Sequence, residues 1–261
     1  MRLATFLPRG GGSALAGEVR GDDVIAFADG ATVLDRLASG DRTAADGDAF
    51  ALGEVELLAP VQRPRAIFGI GLNYSEHAKE TGRDLPEAPI VFMKLPSSAA
   101  PPNAPLNVPA VIRRLDYEGE LAVVMGAGGE VAGYAVADDA SARDLQRREP
   151  QWTRAKGFDG SCPYGPWITT ADELGDPHDL ALRTWVNGEL RQDSRTSDLI
   201  FKVPELVAFI SEACTLEPGD LILTGTPSGV GMALDPPQFL TSGDTVRIEI
   251  ERLGSIEHVV A

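Results

Sequence analysis

Residues 115–126 read LDYEGELAVVMG, and the fold turns on how that stretch is built. Leu121 to Val124 form a continuous apolar run of the kind found in buried strands. Ahead of it, acids fall at every second position: Asp116, Glu118 and Glu120. Alternate residues of a strand share a face, so the three carboxylates line up. Two carboxylates about 6–7 Å apart repel by roughly 2–3 kcal/mol at an effective dielectric near 20. An acidic row leading into a buried strand therefore calls for a cation. The alternative is a solvated edge strand whose acids face water.

Around this stretch the pattern is dominated by short strands. AIFGIG (66–71), PIVFMK (89–94), VAGYAVAD (131–138), GDLILTG (219–225) and TVRIEIE (245–251) have strand length and content, and SIEHVV (255–260) should pair with the last of these. LALRTWVNGELRQD (180–193) reads as a hairpin, with Asn187-Gly188 as a type I′ turn. The helices predicted are short: Asn73–Glu80 closed by Gly82, SARDLQRRE (141–149) opened by a Ser141/Asp144 capping pattern, and VPELVAFISEA (203–213) with Pro204 in its first turn. Such a mixture gives a β-rich α+β fold, a roll or sandwich, and not a doubly wound sheet. Residues 1–60 (LATFL, ALAGEV, DVIAF and acidic, Gly-rich loops) read as a small β-rich N-terminal domain. The boundary to a larger domain, residues 61–261, falls near the prolines of LAPVQRP.

Composition limits the function. The chain of 261 residues is 43% apolar and 24% charged, with 39 acids against 23 bases and a net charge of −16. That balance argues against nucleic acid or an anionic membrane as partner. Cys162 and Cys214 have neither metal-ligand nor disulfide-framework spacing, and no stretch approaches 18 uncharged apolar residues. A soluble, cytoplasmic protein with reduced thiols is expected.

Of the three histidines, His178 lies in a turn and His258 in the last strand, both as structural or surface groups. His77 has Glu80 three residues on, which on a helix puts a carboxylate beside the imidazole and suits a general base. Asp138, Asp139 and Asp144 cluster where VAGYAVAD ends. Asp139 is the freer of them once Asp144 is assigned to the helix start. Two Glu and one Asp make an oxygen site suited to Mg²⁺ or Mn²⁺. Lys94 and Lys156 could each donate to an anion. LTGTPSGVGM (223–232) offers backbone N–H groups to a carboxylate or phosphate, yet lacks the Lys and following helix of a nucleotide loop.

In order along the chain, GIGLNYSEHAKETG, PIVFMKLPSS, LDYEGELAVVMG, GYAVADDASARDLQ, QWTRAKGFDGSCPYGPW, VNGELRQ and LEPGDLILTGTPSGVG together resemble the fumarylacetoacetate hydrolase family from about Pro64 to the C-terminus. The resemblance implies a catalytic domain of mixed β-sandwich roll type, a homodimer, and one Mg²⁺ or Mn²⁺ held by Glu118, Glu120 and Asp139. It implies His77, Glu80 and Lys156 as catalytic groups, and Lys94, Arg143, Gln146 and Thr226 as substrate contacts, with Asp116 supporting. Asp138 stands where the family pattern has Asn, an extra acid beside the metal. The acidic ligand that precedes the histidine in the animal enzyme is missing from Phe68–Asn73.

The substrate implied is a small 2-oxo or 2,4-dioxo acid. The reaction expected is hydrolysis of a carbon–carbon bond in an acylpyruvate, with His77 activating water and Lys156 meeting the enolate charge. Two alternatives use the same enolate: isomerisation of 2-hydroxyhepta-2,4-diene-1,7-dioate or 5-carboxymethyl-2-hydroxymuconate, and decarboxylation of an oxaloacetate-like acid. A catalytically silent metal-binding scaffold is the alternative of a different class. Selectivity is expected from the Pro96–Pro109 loop and the Glu80–Glu87 segment.

Overall fold

The computed structural model describes residues 1–261. A mixed sheet of twelve strands runs through the molecule. Its spine is Arg2–Pro8, Cys162–Thr170, Val131–Asp138, Gly119–Met125, Leu221–Leu223, Ile67–Gly71 and Ile90–Lys94 in that spatial order. Most neighbours are antiparallel; Leu221–Leu223 runs parallel to Ile67–Gly71. A second, antiparallel sheet holds Glu189–Arg195, Ala181–Val186, Thr245–Ile250 and Gly254–Val259.

The strand Gly119–Met125 explains why the layers stack as they do. Leu121, Val123 and Met125 point to one side, where they join Leu182, Val186, Ile248, Ile250 and Ile256 of the second sheet in the main core. Ala122 and Val124 point to the other, towards Leu3, Val33, Leu37, Tyr164 and Ile168. Burial on both faces is why the stretch is apolar without alternation. The even parity that turns Ala122 and Val124 away from the second sheet also carries Glu118 and Glu120.

The first sixty residues do not stand apart from this sheet. Arg2–Pro8 pairs with Cys162–Thr170 at Leu3↔Ile168, and Tyr164 donates from its hydroxyl to the Val61 carbonyl while accepting from the Val61 N–H. A helix at Val33–Ser39 was not anticipated, although Thr32 and Asp35 form a capping box and Gly40 closes the helix at φ 69. Asn187 (φ 52) and Gly188 (φ 80) turn the hairpin in the left-handed region that the Asn-Gly pair foretells.

Two local readings are overturned. Leu115–Gly126 is broken into two strands: Leu115–Asp116 pairs with Ser141–Ala142, and the long strand begins only at Gly119. Asp116 is thereby turned away from Glu118 and Glu120 to meet Arg143. Nor does Ser141 cap the helix Arg143–Arg148, whose N-cap is Ala142 with no side-chain bond. Ser141 donates instead to the Asp139 carbonyl, and Asp144 accepts from the Arg113 N–H, because Ser141–Ala142 is already committed to the short ribbon.

Candidate metal centre

Glu118, Glu120 and Asp139 each offer a carboxylate oxygen, and these oxygens lie within 4.8 Å of one another. The strand break at Tyr117 frees Glu118, the next strand presents Glu120, and Asp139 follows the last residue of the neighbouring strand. Antiparallel pairing sets Gly119 opposite Asp138, and the Asp139 N–H donates to the Glu118 carbonyl, so the three donors are fixed by the sheet itself.

Five buried acids (Asp116, Glu118, Glu120, Asp138, Asp139) crowd here against three cations, Lys94, Lys156 and Arg143. Lys156 Nζ bridges Glu118 Oε2 and Asp139 Oδ2 at 2.6 Å each. Lys94 Nζ donates to Asp139 Oδ1 at 2.6 Å and to the carbonyls of Lys156 and Ser161. Arg143 donates from Nε to Asp116 at 2.8 Å and sits 2.6 Å from Glu118. Glu120 alone of the triad has no cation, only the Gly225 N–H at 2.7 Å.

The titration of the cluster follows from this. Burial pushes the Glu118 carboxyl up, but Lys156, Arg143 and His77 outweigh it and hold it well below the usual carboxylate range. Burial, then the charges of Asp139 and Glu118, hold Glu120 well above that range. Burial alone would lower Lys156; Asp139 and Glu118 keep it raised and charged. An all-oxygen donor set, converging and short of positive charge, fits a hard dication.

Beside the triad lies a cavity of about 710 Å³ lined by His77, Thr81, Phe92, Trp152, Met232 and Phe239 among others. The helix Ser75–Glu80 brings His77 to it. His77 Nδ1 lies 2.7 Å from Glu80 Oε1, and Glu80 Oε2 accepts from the Gly229 N–H at 2.8 Å. The chain enters that helix through Leu72, which lines the cavity at φ 55, an unusual conformation for a bulky residue. Asn73 secures the bend by donating to the Thr224 and Phe201 carbonyls.

Most residues anticipated from the sequence come together, though several do different work. Lys156, Arg143, Gln146 and Thr226 all line the cavity. Lys94 does not: its ammonium is fully buried and its three donors are used on Asp139 and two carbonyls, so it orients a triad member. Gln146 accepts from Arg143. The Thr226 hydroxyl donates to the Gly119 carbonyl and accepts from Gln192. The Gly-rich loop does bind carboxylates, but they are the protein's own. Gly225 serves Glu120, Gly229 serves Glu80, and Gly231 with Met232 serves Asp116. The Pro96–Pro109 loop contributes no cavity residue. It is tied to Cys162–Pro163 and to the C-terminal strand through Leu106 and Asn103.

Three charged cavity residues escaped sequence reading: Arg83, Arg114 and Arg147, exposed at the rim without an ion-pair partner. The signal for Arg114 and Arg147 was present in RRLD (113–116) and RDLQRR (143–148), where bases flank the acidic motifs. His258, read as a structural or surface group, is fully buried next to Asp138. No helix is long and apolar enough to cross a membrane.

Comparison with known proteins adds to the geometry. Residues 66–261 match the family model described as "Fumarylacetoacetate (FAA) hydrolase C-terminal". The chain is 44% identical over 218 residues to the oxaloacetate tautomerase fahd2 of Xenopus laevis, covering 79% of this chain and 68% of that one. It is 43% identical over 225 residues to the oxaloacetate tautomerase YisK of Bacillus subtilis, covering 81% and 75%. Among solved structures, 5-carboxymethyl-2-hydroxymuconate delta-isomerase from Mycobacterium smegmatis superimposes with a TM-score of 0.84 at 36% identity, covering 100% of this chain and 99% of that one.

Proposed function

We propose that this chain, which belongs to the fumarylacetoacetate hydrolase family, moves a proton between the keto and enol forms of a 2-oxo diacid of the oxaloacetate type. The observation that carries the reading is one cavity that borders the oxygen triad and is lined by a carboxylate-oriented imidazole and unpaired rim arginines. Mg²⁺ or Mn²⁺ held by Glu118, Glu120 and Asp139 would supply the positive charge that makes the proton beside a 2-oxo group acidic.

His77 is the base. With Nδ1 on Glu80, Nε2 is the nitrogen left to take a proton, and Glu80 stabilises the imidazolium that results. Glu80 is in turn held by Gly229, so the imidazole keeps one orientation. Lys156 and Arg143 adjoin the triad from the cavity side and meet negative charge as it develops on the substrate. Arg83, Arg114 and Arg147 are guanidiniums with no acid of their own in a strongly acidic protein, which suits a second substrate carboxylate. Phe92, Trp152 and Phe239 close the sides and exclude water.

The names of the sequence relatives support proton transfer, while the similar solved structures include both isomerases and hydrolases. The fahd2 and YisK proteins are named oxaloacetate tautomerases, and the M. smegmatis structure a delta-isomerase. Hydrolysis of an acylpyruvate is the second reading, favoured by the His77–Glu80 pair, which could equally activate a water. The two differ in products. With Mg²⁺ and oxaloacetate, the ultraviolet signal of the enol should relax faster with enzyme and without release of pyruvate, scored by coupled lactate dehydrogenase. His77→Gln should slow that relaxation by about 10²–10⁴-fold while magnesium affinity stays within a few-fold. Pyruvate released from an acylpyruvate, with oxaloacetate untouched, would replace this reading with hydrolysis.

A further inference from the structure

Asp138 is the last residue of Val131–Asp138 and directly precedes the ligand Asp139. Both of its oxygens are buried, and each has a different neighbour. Oδ1 accepts from the Glu118 backbone N–H at 2.9 Å. Oδ2 lies 3.1 Å from Nε2 of His258, whose side chain is likewise fully buried. That approach lacks hydrogen-bond geometry, and neither Asp138 Oδ2 nor either ring nitrogen makes a hydrogen bond, so each is the other's sole polar neighbour. His258 belongs to the strand Gly254–Val259 of the second sheet, opposite Val246, so the contact joins the two layers of the sandwich at the metal centre.

We infer that Asp138 and His258 act as one positioning unit for Glu118, and that the acid at 138 depends on the imidazole at 258. The inference rests on the metal site proposed above. A carboxylate here presents only acceptors. With an apolar residue at 258, Oδ2 would be a buried oxygen facing no polar group at all, which is costly. The side chain would then turn from the Glu118 N–H, and the tight Glu118/Asp139 turn would loosen. An amide at 138 escapes this constraint. Its oxygen still accepts from Glu118, and its NH₂ can donate to an unprotonated ring nitrogen or tolerate an apolar neighbour better than a carboxylate does.

The test is magnesium binding to the metal-stripped protein by titration calorimetry, with thermal melting of the same metal-free samples as the second readout. Wild type should bind with a stoichiometry near one. His258→Leu should weaken binding by about 10–100-fold, the range seen when support of a metal ligand is removed. Asp138→Asn should stay within about threefold of wild type, and Asp138→Asn/His258→Leu should recover most of the affinity and melting temperature lost in His258→Leu. If His258→Leu does not fold, His258→Gln, whose amide can face Oδ2 where Nε2 does now, should bind within about threefold of wild type. Affinity unchanged in His258→Leu, a double variant no better than it, or His258→Gln as weak as a full loss would overturn the inference while leaving the metal site standing. Failure of wild type to bind magnesium would remove the site itself, and the positioning unit with it.

Discussion

Glu120 has the least compensation of any acid in the cluster, and that fixes how the metal-free protein should respond to pH. Burial and the charges of Asp139 and Glu118 hold its carboxyl well above the usual range. A group whose folded pKa is raised stabilises the fold below its unfolded value, near 4.5, and that contribution is lost as pH rises through the folded value. Glu118 acts oppositely. Its pKa is depressed, so its contribution is present above 4.5 and lost only in stronger acid. Above pH 5 the Glu120 effect is therefore the one exposed. The metal-free protein should melt at lower temperature at pH 8 than at pH 5.5, and Mg²⁺ should remove most of that difference. Glu120→Gln should flatten the metal-free profile. A profile that rises with pH in both proteins would show that the triad is not short of positive charge.

Among the elements, the loop from Thr224 to Met232 does the most connecting. Its N–H groups hold Glu120, Glu80 and Asp116, and Tyr117 donates to the Gly229 carbonyl. Gly229 has φ 102, and a Cβ there would run into the Arg191 carbonyl. Gly229→Ala should therefore cost about 1–3 kcal/mol of stability through backbone strain. Because the same N–H orients Glu80 and hence His77, turnover should fall further than magnesium affinity does. Equal losses in both would mean the loop supports the triad and not the base. A strand followed by glycines and hydroxyls announced an anion-binding turn from the sequence. That the anions are the protein's own acids was hidden, because Glu80, Asp116 and Glu120 lie more than a hundred residues away along the chain. The Asn187-Gly188 hairpin was readable for the contrary reason: its geometry is set by two adjacent residues.

On the scale of the whole molecule, the N-terminal sixty residues are bound into the same sheet that presents the acidic triad. They have a small cluster of their own, with Phe6, Val19, Val24 and Val55, but Leu3, Phe27, Val33 and Leu37 pack with Tyr164, Ile168 and Leu221. Deleting residues 1–60 would strip Arg2–Pro8 from one side of Cys162–Thr170 and leave a hydrophobic edge open to other chains. The truncated protein should be insoluble or dimly folded by circular dichroism and bind no magnesium. A soluble fragment with full metal affinity would instead mark residues 61–261 as an independent folding unit.

By itself the sequence determined the β-rich α+β class and the family, and it marked Glu118, Glu120 and Asp139 and the His77–Glu80 pair as candidates that the structure brings together. Each rests on periodicity or on short motifs, whose meaning is local. Only the tertiary structure decided that Asp116 leaves the acidic row, that Lys94 donates to Asp139 and does not line the cavity, and that three arginines stand at the cavity rim. It alone placed His258 against Asp138. Those assignments depend on which strands become neighbours in the sheet, and pairing between segments far apart in the chain is set by burial of the whole core, which no single stretch encodes.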